Sequence, residues 1–337
     1  MQRLLFIILM LYATAVQAQQ IGTKWMTAPT PTDSACQWFQ HTFIADKCPR
    51  RASVCIASNS RFVLYVNGRN VSTALYMPNR KANDNKPIAI TFDITRFLRP
   101  DSNTVSVLAC PAISHNCSTT KRKTNNNTNA YVSPAIAVNF FGTTIDNHLF
   151  SYLSPEGWLC HPASTYITQD GELMDGRANA QLLAYGDIML AQWQPARTLE
   201  GDFFTVNSLT NNYKNNAIID FKLSYESLFG YHTHSYNILK DNTVRTHKIL
   251  RPRYFDLNGR TVTYDFSPGF FGFVRVTLRG CKRGEHIRIG NLEYVCSGEM
   301  DEQAFCRFTH QYARQIIISG DRWFKPEQIQ EVEAICL

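Results

Sequence analysis

The chain has 337 residues, 34 Lys+Arg against 27 Asp+Glu, and is 44% hydrophobic and 12% aromatic but only 18% charged. That balance excludes a disordered polyelectrolyte and a charge-rich coiled coil, and the length sets two domains as the expectation. The basic residues, among them Arg50-Arg51, Lys121-Arg122-Lys123 and Lys282-Arg283, are scattered rather than interleaved with aromatics, so nucleic acid is not an expected partner.

At the N-terminus, Arg3, the apolar run Leu4–Val16 and the small residues of Val16-Gln17-Ala18 predict a signal peptide over residues 1–18, cleaved after Ala18. The run is shorter than the ~20 residues of a spanning helix, and no later stretch is long and apolar enough to span, so the expectation is a periplasmic or extracellular protein without a membrane span. Ten cysteines, an even number, permit disulfides in such a compartment. None forms a Cys-x-x-Cys pair, Cys55 reads as a buried thiol in the apolar run Val54–Ala57, and pairing within Cys281, Cys296 and Cys306 is open.

Period-2 alternation then dominates. Phe62, Leu64 and Val66 share one face of a strand that ends in the turn dipeptide Asn67-Gly68. Ile88–Ile94, Asn103–Ala109 and Ala135–Phe141 read as further strands. Later, Val262, Tyr264 and Phe266 alternate with Thr261, Thr263 and Asp265, Val274, Val276 and Leu278 with Arg275, Thr277 and Arg279, and Ile287 and Ile289 flank Arg288. Strands with one wet face and frequent turns imply an all-β protein of two antiparallel sandwiches. A short helix is expected near Pro326–Ala334. Ser114–Asn129 and Asn207–Asn216 are polar, Asn-rich loops, and the domain boundary follows the second, giving domains at about 21–235 and 236–337.

The order of these motifs resembles the N-terminal β-domains of bacterial α-L-rhamnosidases (glycoside hydrolase family 78). Phe62 to Arg69, Phe92-Asp93-Ile94-Thr95, Leu98 and Asn103-Thr104-Val105 resemble the family's galactose-binding-like jelly roll. Gly171-Glu172 with Asp175-Gly176-Arg177 is similar to its Gly-Glu-x-x-Asp-Ala-Arg stretch, with Gly in place of Ala, and Trp193-Gln194-Pro195-Ala196 to its Trp-x-Pro-Ala. Tyr264-Asp265-Phe266, Gly272-Phe273-Val274, Gly284, Glu293 and Gly298-Glu299, then Phe308-Thr309 and Arg314 to Ile318, look like the second sandwich that follows. In that family a catalytic (α/α) barrel comes next, where this sequence stops, so the resemblance implies a non-catalytic chain.

The chemistry of the residues points the same way. Glycoside hydrolysis needs two carboxylates flanking the bond, whereas Glu299/Asp301/Glu302 and Glu327/Glu331/Glu333 read as solvated surface. The nine His are scattered, with no Gly-x-Ser-x-Gly elbow, and His232 and His234 read as a hairpin surface pair. The resemblance implies a sugar site at Glu172, Asp175, Arg177 and Asn179, with calcium held by Asp175 and Asn179 through hard oxygen donors. The alternative for Glu172, Asp175 and Arg177 is an ion-pair network that pins a loop. Trp158 and Trp193 are candidate stacking platforms for a pyranose ring, or core residues. The expected role is carbohydrate binding, on an oligosaccharide or polysaccharide that carries rhamnose. A docking partner of a separate glycoside hydrolase or surface assembly is the second reading, and a divergent or truncated rhamnosidase the third.

Overall fold

The computed structural model describes residues 24–30, 34–45, 47–71, 74–78, 88–113, 131–168, 170–178, 193–199 and 244–337. The expected leader, both Asn-rich loops, Asn179, His232, His234 and the boundary near 235 lie outside the described residues.

The first half contributes β1 (Met26–Thr27), β2 (Ala35–Ala45), β3 (Arg51–Ser58), β4 (Phe62–Val66), β5 (Arg69–Asn70), β6 (Ile88–Asp93) and β7 (Asp101–Ala109). It continues with β8 (Ala112–Ile113), β9 (Tyr131–Val132), β10 (Ile136–Thr143), β11 (Leu149–Leu153), β12 (Leu159–Ile167), β13 (Glu172–Asp175), β14 (Gln194–Pro195) and β15 (Arg197–Thr198). The second half holds β16 (Lys248–Leu250), β17 (Tyr254–Asn258), β18 (Thr261–Arg279), β19 (His286–Ile289), β20 (Leu292–Val295), β21 (Asp301–Phe305), β22 (Gln311–Gly320) and β23 (Ile329–Cys336).

The fold is all-β. A six-stranded sheet runs β15-β1-β10-β3-β6, with β11 on β10. Facing it, β12-β2-β7-β4-β5 forms the other layer of the first sandwich, and Phe39, Phe62, Leu64 and Val107 meet Val54, Ile56, Ile136, Val138 and Phe140 between them. The alternation read in the sequence builds this core: Phe62, Leu64 and Val66 are buried while Val63 and Tyr65 are half-exposed. Each such buried side chain stabilises by about 1.5–3 kcal/mol. Asn67 (φ 49°) and Gly68 (φ 73°) make the tight turn between β4 and β5, both in the left-handed region that Asn and Gly tolerate.

The second core is built from Phe266, Val276, Leu278, Ile287, Ile289, Ile316, Ile318 and Val332, and it also takes in Tyr76 and Met174 from the first half. The two halves share a sheet. Fifteen strands are continuous because β13, antiparallel to β12, pairs on its other edge with β20. That junction is parallel, against the expectation of antiparallel pairing throughout.

Two local expectations change. The segments 261–266 and 274–279 are one strand, β18, whose register shifts between Asp265 and Phe270. Proline cannot donate to a ladder, and a bulge at Ser267-Pro268-Gly269 accommodates it. Asp265 is buried there, accepting from the Ser267 N–H (2.8 Å), Tyr254 Oη (3.1 Å) and Gln315 Nε2 (3.3 Å). The helix expected over Pro326–Ala334 is a 3-10 turn at Pro326–Gln328 followed by β23. Pairing of β23 with β18, from Gly272↔Cys336 to Leu278↔Ile329, overrides local propensity in a segment carrying β-branched Ile329, Val332 and Ile335.

Candidate functional site

The motif Gly171-Glu172-Leu173-Met174-Asp175-Gly176-Arg177 lies on the seam between the two sandwiches. Its strand, β13, registers Glu172 with Leu292 and Asp175 with Val295. Beyond each end the ladder bonds continue, from Glu172 N–H to Asn291 O (3.0 Å) and from Gly176 N–H to Val295 O (2.8 Å). The flanking glycines make this approach feasible: a Cβ on Gly171 would sit 1.9 Å from Asn291 O, and one on Gly176 2.4 Å from Tyr294 Oη.

Glu172 is 1% exposed and accepts from the loop between β21 and β22. Its oxygens take the N–H groups of Arg307 (3.0 and 3.1 Å), Phe308 (3.0 Å) and Thr309 (3.3 Å), and the Thr309 hydroxyl (3.3 Å). The first sandwich holds the carbonyls of the same loop: Arg61 Nη1 donates to Phe308 O (2.6 Å) and Tyr76 Oη to Thr309 O (3.0 Å). The Arg61 guanidinium lies 4.8 Å over the Tyr76 ring, and Arg307 Nη1 reaches Tyr65 Oη (3.2 Å). Burial pushes the Glu172 carboxyl above its ordinary range, against the pull of the N–H groups of Arg307, Phe308 and Thr309. With its oxygens taken by fixed donors, Glu172 acts chemically as a latch.

Asp175, an odd number of residues along the strand, points to the other face. Its side chain is 24% exposed, and that of Arg177 48%. The two form a fork, Nε to Oδ1 at 2.9 Å and Nη2 to Oδ2 at 2.6 Å, with the Arg177 N–H on Oδ1 at 3.0 Å. Hydrogen bonding from Arg177 holds the Asp175 carboxyl below its usual value. The fork offers donors and lone pairs at the surface, as a polyol requires. A calcium ion at Asp175 would have to displace the guanidinium, and among the described residues no group of three His, Cys, Asp or Glu side chains is placed to hold a metal.

The tryptophans sit elsewhere. Trp158 is 2% exposed, in the first core, its ring stacked 5.6 Å from that of His41, whose Nδ1 bonds Gly157 O at 3.0 Å. Trp193 is half-buried, packed against the small cluster of Cys36, Trp38, Leu108 and Phe308 and 5.5 Å from the His161 ring.

Of the acidic clusters, Glu302 is buried rather than solvated, accepting from Tyr294 Oη (2.9 Å), Ser297 N–H (2.6 Å) and Gly298 N–H (2.9 Å). Asp301 pairs with Arg279 (2.6 Å), Glu331 with Arg251 (2.9 Å) and Glu333 with Arg275. Sequence reasoning missed Arg61, Tyr76 and Arg307 as seam residues. The available signal was the pair of glycines bracketing a four-residue strand. A shallow polar concavity of about 290 Å³ opens over β19, β20 and β22, lined among others by His286, Arg288, Glu293, Ser319 and Asp321.

Residues 47–213 match the family described as the alpha-L-rhamnosidase N-terminal domain. No curated protein matches the chain in sequence. Among solved structures, the α-L-rhamnosidase of Dictyoglumus thermophilum is 16% identical with a TM-score of 0.68, over 93% of this chain and 35% of that one. The Aspergillus terreus enzyme is 14% identical with a TM-score of 0.68, over 94% and 36%. The Streptomyces avermitilis enzyme, solved in complex with L-rhamnose, is 15% identical with a TM-score of 0.66, over 91% and 29%. The chain spans about a third of the length of these enzymes, and at such identities the likeness establishes the fold. Residues 47–213 thus resemble the α-L-rhamnosidase N-terminal domain, within a two-sandwich fold also found in three α-L-rhamnosidases.

Proposed function

We propose that the chain is an exported, non-catalytic carbohydrate-binding or accessory protein that recognises rhamnose-containing oligosaccharides or polysaccharides. The observation that carries this reading is the family match over 47–213, a stretch that contains the exposed Asp175–Arg177 fork. A carboxylate and a guanidinium side by side suit a vicinal diol, one accepting and the other donating hydrogen bonds. Calcium enters as a ligand that would take Asp175 from Arg177, with Asn179 as a second donor. Calorimetric titration of the mature chain with L-rhamnose and rhamnose-bearing oligosaccharides, with calcium and then with a chelator, tests the reading. Saturable heat that Asp175→Ala abolishes, in a variant with an unchanged circular dichroism spectrum, is the expected result. No heat with any of these sugars overturns it.

A second reading, docking on a separate glycoside hydrolase or surface assembly, is favoured by one observation. Tyr254, Phe255 and Leu257 on β17, Phe271 on β18 and Tyr312 on β22 are exposed large apolar side chains of one sandwich, Phe255 at 65% and Tyr312 at 70%. Large exposed apolar surface is uncommon on monomers. Aryl rhamnoside hydrolysis by the pure chain would instead identify a divergent rhamnosidase.

A further inference from the structure

Four of the cysteines fall into two pairs, one in each sandwich. On β2 and β7 the register sets Gln37 against Ala109, so one step further the ladder sets Cys36 against Cys110. Cys110 donates its N–H to Arg61 O (2.9 Å), on the side away from β2. A residue whose backbone bonds point to one neighbour meets the opposite neighbour in a non-hydrogen-bonded pair, with Cα atoms about 4.5 Å apart and side chains close. Disulfides span Cα separations of about 4.4–6.8 Å. Both thiols are buried in one cluster with Trp38, Leu108 and Ala163.

In the second sandwich, Gly284 N–H bonds Cys296 O (2.9 Å) and Cys296 N–H bonds Glu285 O (2.8 Å), folding the turn that starts at Cys281 back over the end of β20. Cys281 and Cys296 are both buried in the second core, and they, like Cys36 and Cys110, are free thiols in this structure. Cys306, the third cysteine of this region, instead directs its thiol to Asn291 Oδ1 (3.7 Å).

We propose that these pairs close as disulfides, Cys36–Cys110 in the first sandwich and Cys281–Cys296 in the second. In each closure one thiolate attacks the disulfide of an oxidant, a thiol–disulfide oxidoreductase or oxidised glutathione, forming a mixed disulfide. The second thiolate then displaces it. Two thiol protons leave, two electrons pass to the oxidant, and the oxidant departs as its thiols. Burial raises the Cys110 thiol to about 12 and the Cys36 thiol well above its usual value. Buried, protonated thiols are poor nucleophiles, so closure belongs to folding, before the cores shut, and the closed bonds resist exchange afterwards.

The test is independent of any sugar. The full chain is reduced in denaturant, refolded in a mixture of oxidised and reduced glutathione, alkylated, digested and mapped by mass spectrometry. A parallel sample is kept reduced. Peptides joining Cys36 to Cys110 and Cys281 to Cys296 are expected, with an unfolding constant lower on the order of 100-fold per bond than in the reduced chain. A Cys36→Ser/Cys110→Ser variant should retain the Cys281–Cys296 peptide, which keeps the second bond testable if the first variant folds poorly. Recovery of all four cysteines as alkylated thiols, or of Cys306 bonded to Cys281 or Cys296, overturns the proposal.

Discussion

Glu172 and Asp175 occupy the two ends of one short strand and meet opposite surroundings. Glu172 faces the second sandwich, where fixed N–H groups of Arg307, Phe308 and Thr309 take its oxygens. Asp175 faces the surface and is held by one flexible partner, Arg177. A carboxylate among preset backbone donors serves the fold, because nothing else can reach it. A carboxylate in an exposed fork can exchange its partner for a ligand at low cost, since exposed ion pairs contribute little. Residue type alone does not separate the two roles.

The largest effect should come from breaking the buried side of this comparison. Glu172→Ala leaves three backbone donors without their acceptor, that of Phe308 buried, and urea denaturation should show a loss of about 3 kcal/mol. An unchanged midpoint would mean that the seam does not depend on this latch. Next, Gly171→Ala places a methyl against Asn291 O and should cost about 1–3 kcal/mol by forcing β13 off β20. A neutral result there would show that the parallel junction tolerates wider spacing.

A second buried acid sharpens the contrast. Asp265 is held down to about 2, first by hydrogen bonds from the Ser267 side chain and backbone and then by Gln315 and Tyr254, whereas burial pushes Glu172 up. The two therefore act on stability with opposite signs. A carboxyl lowered in the folded state contributes stability above its unfolded pKa, near 3.8, and loses it as pH falls toward 2. A carboxyl raised in the folded state contributes below its unfolded pKa and loses that contribution as pH rises through the folded value. Thermal melts from pH 5 to 2 should fall less steeply in Asp265→Asn than in the parent chain, and an equal slope would remove Asp265 from the acid response. The smallest stability effect is expected for Asp175→Ala. Its melting midpoint should barely move while sugar affinity is lost, and a large drop in midpoint would make the exposed fork structural as well.

Much of the fold was legible in the sequence. Phe62, Leu64 and Val66 alternate as a half-buried strand must, Asn67-Gly68 supplies the two positive φ values of its turn, and Ile287 and Ile289 point inward on either side of Arg288. These features are local, so neighbouring residues suffice to encode them. The site was legible only as a motif. That Glu172 turns inward depends on Arg307 to Thr309, 135 positions and more along the chain, and no spacing rule reaches that far. Trp158 follows a turn, which by itself permits exposure, yet the sandwich closes over it. The same limit explains the acids, since Glu302 is buried by Tyr294 and the turn at Ser297-Gly298.

By itself, then, the sequence determined several of the strands, their faces and the all-β class, because alternation and turn chemistry act over a few residues. The joining of both sandwiches through β13, the single long β18 and the strand in place of a C-terminal helix were decided by tertiary structure. Each rests on a ladder between distant segments whose hydrogen bonds and burial outweigh local preference. The division of one motif into a buried latch and an exposed fork arises the same way, from which side of β13 the second sandwich covers.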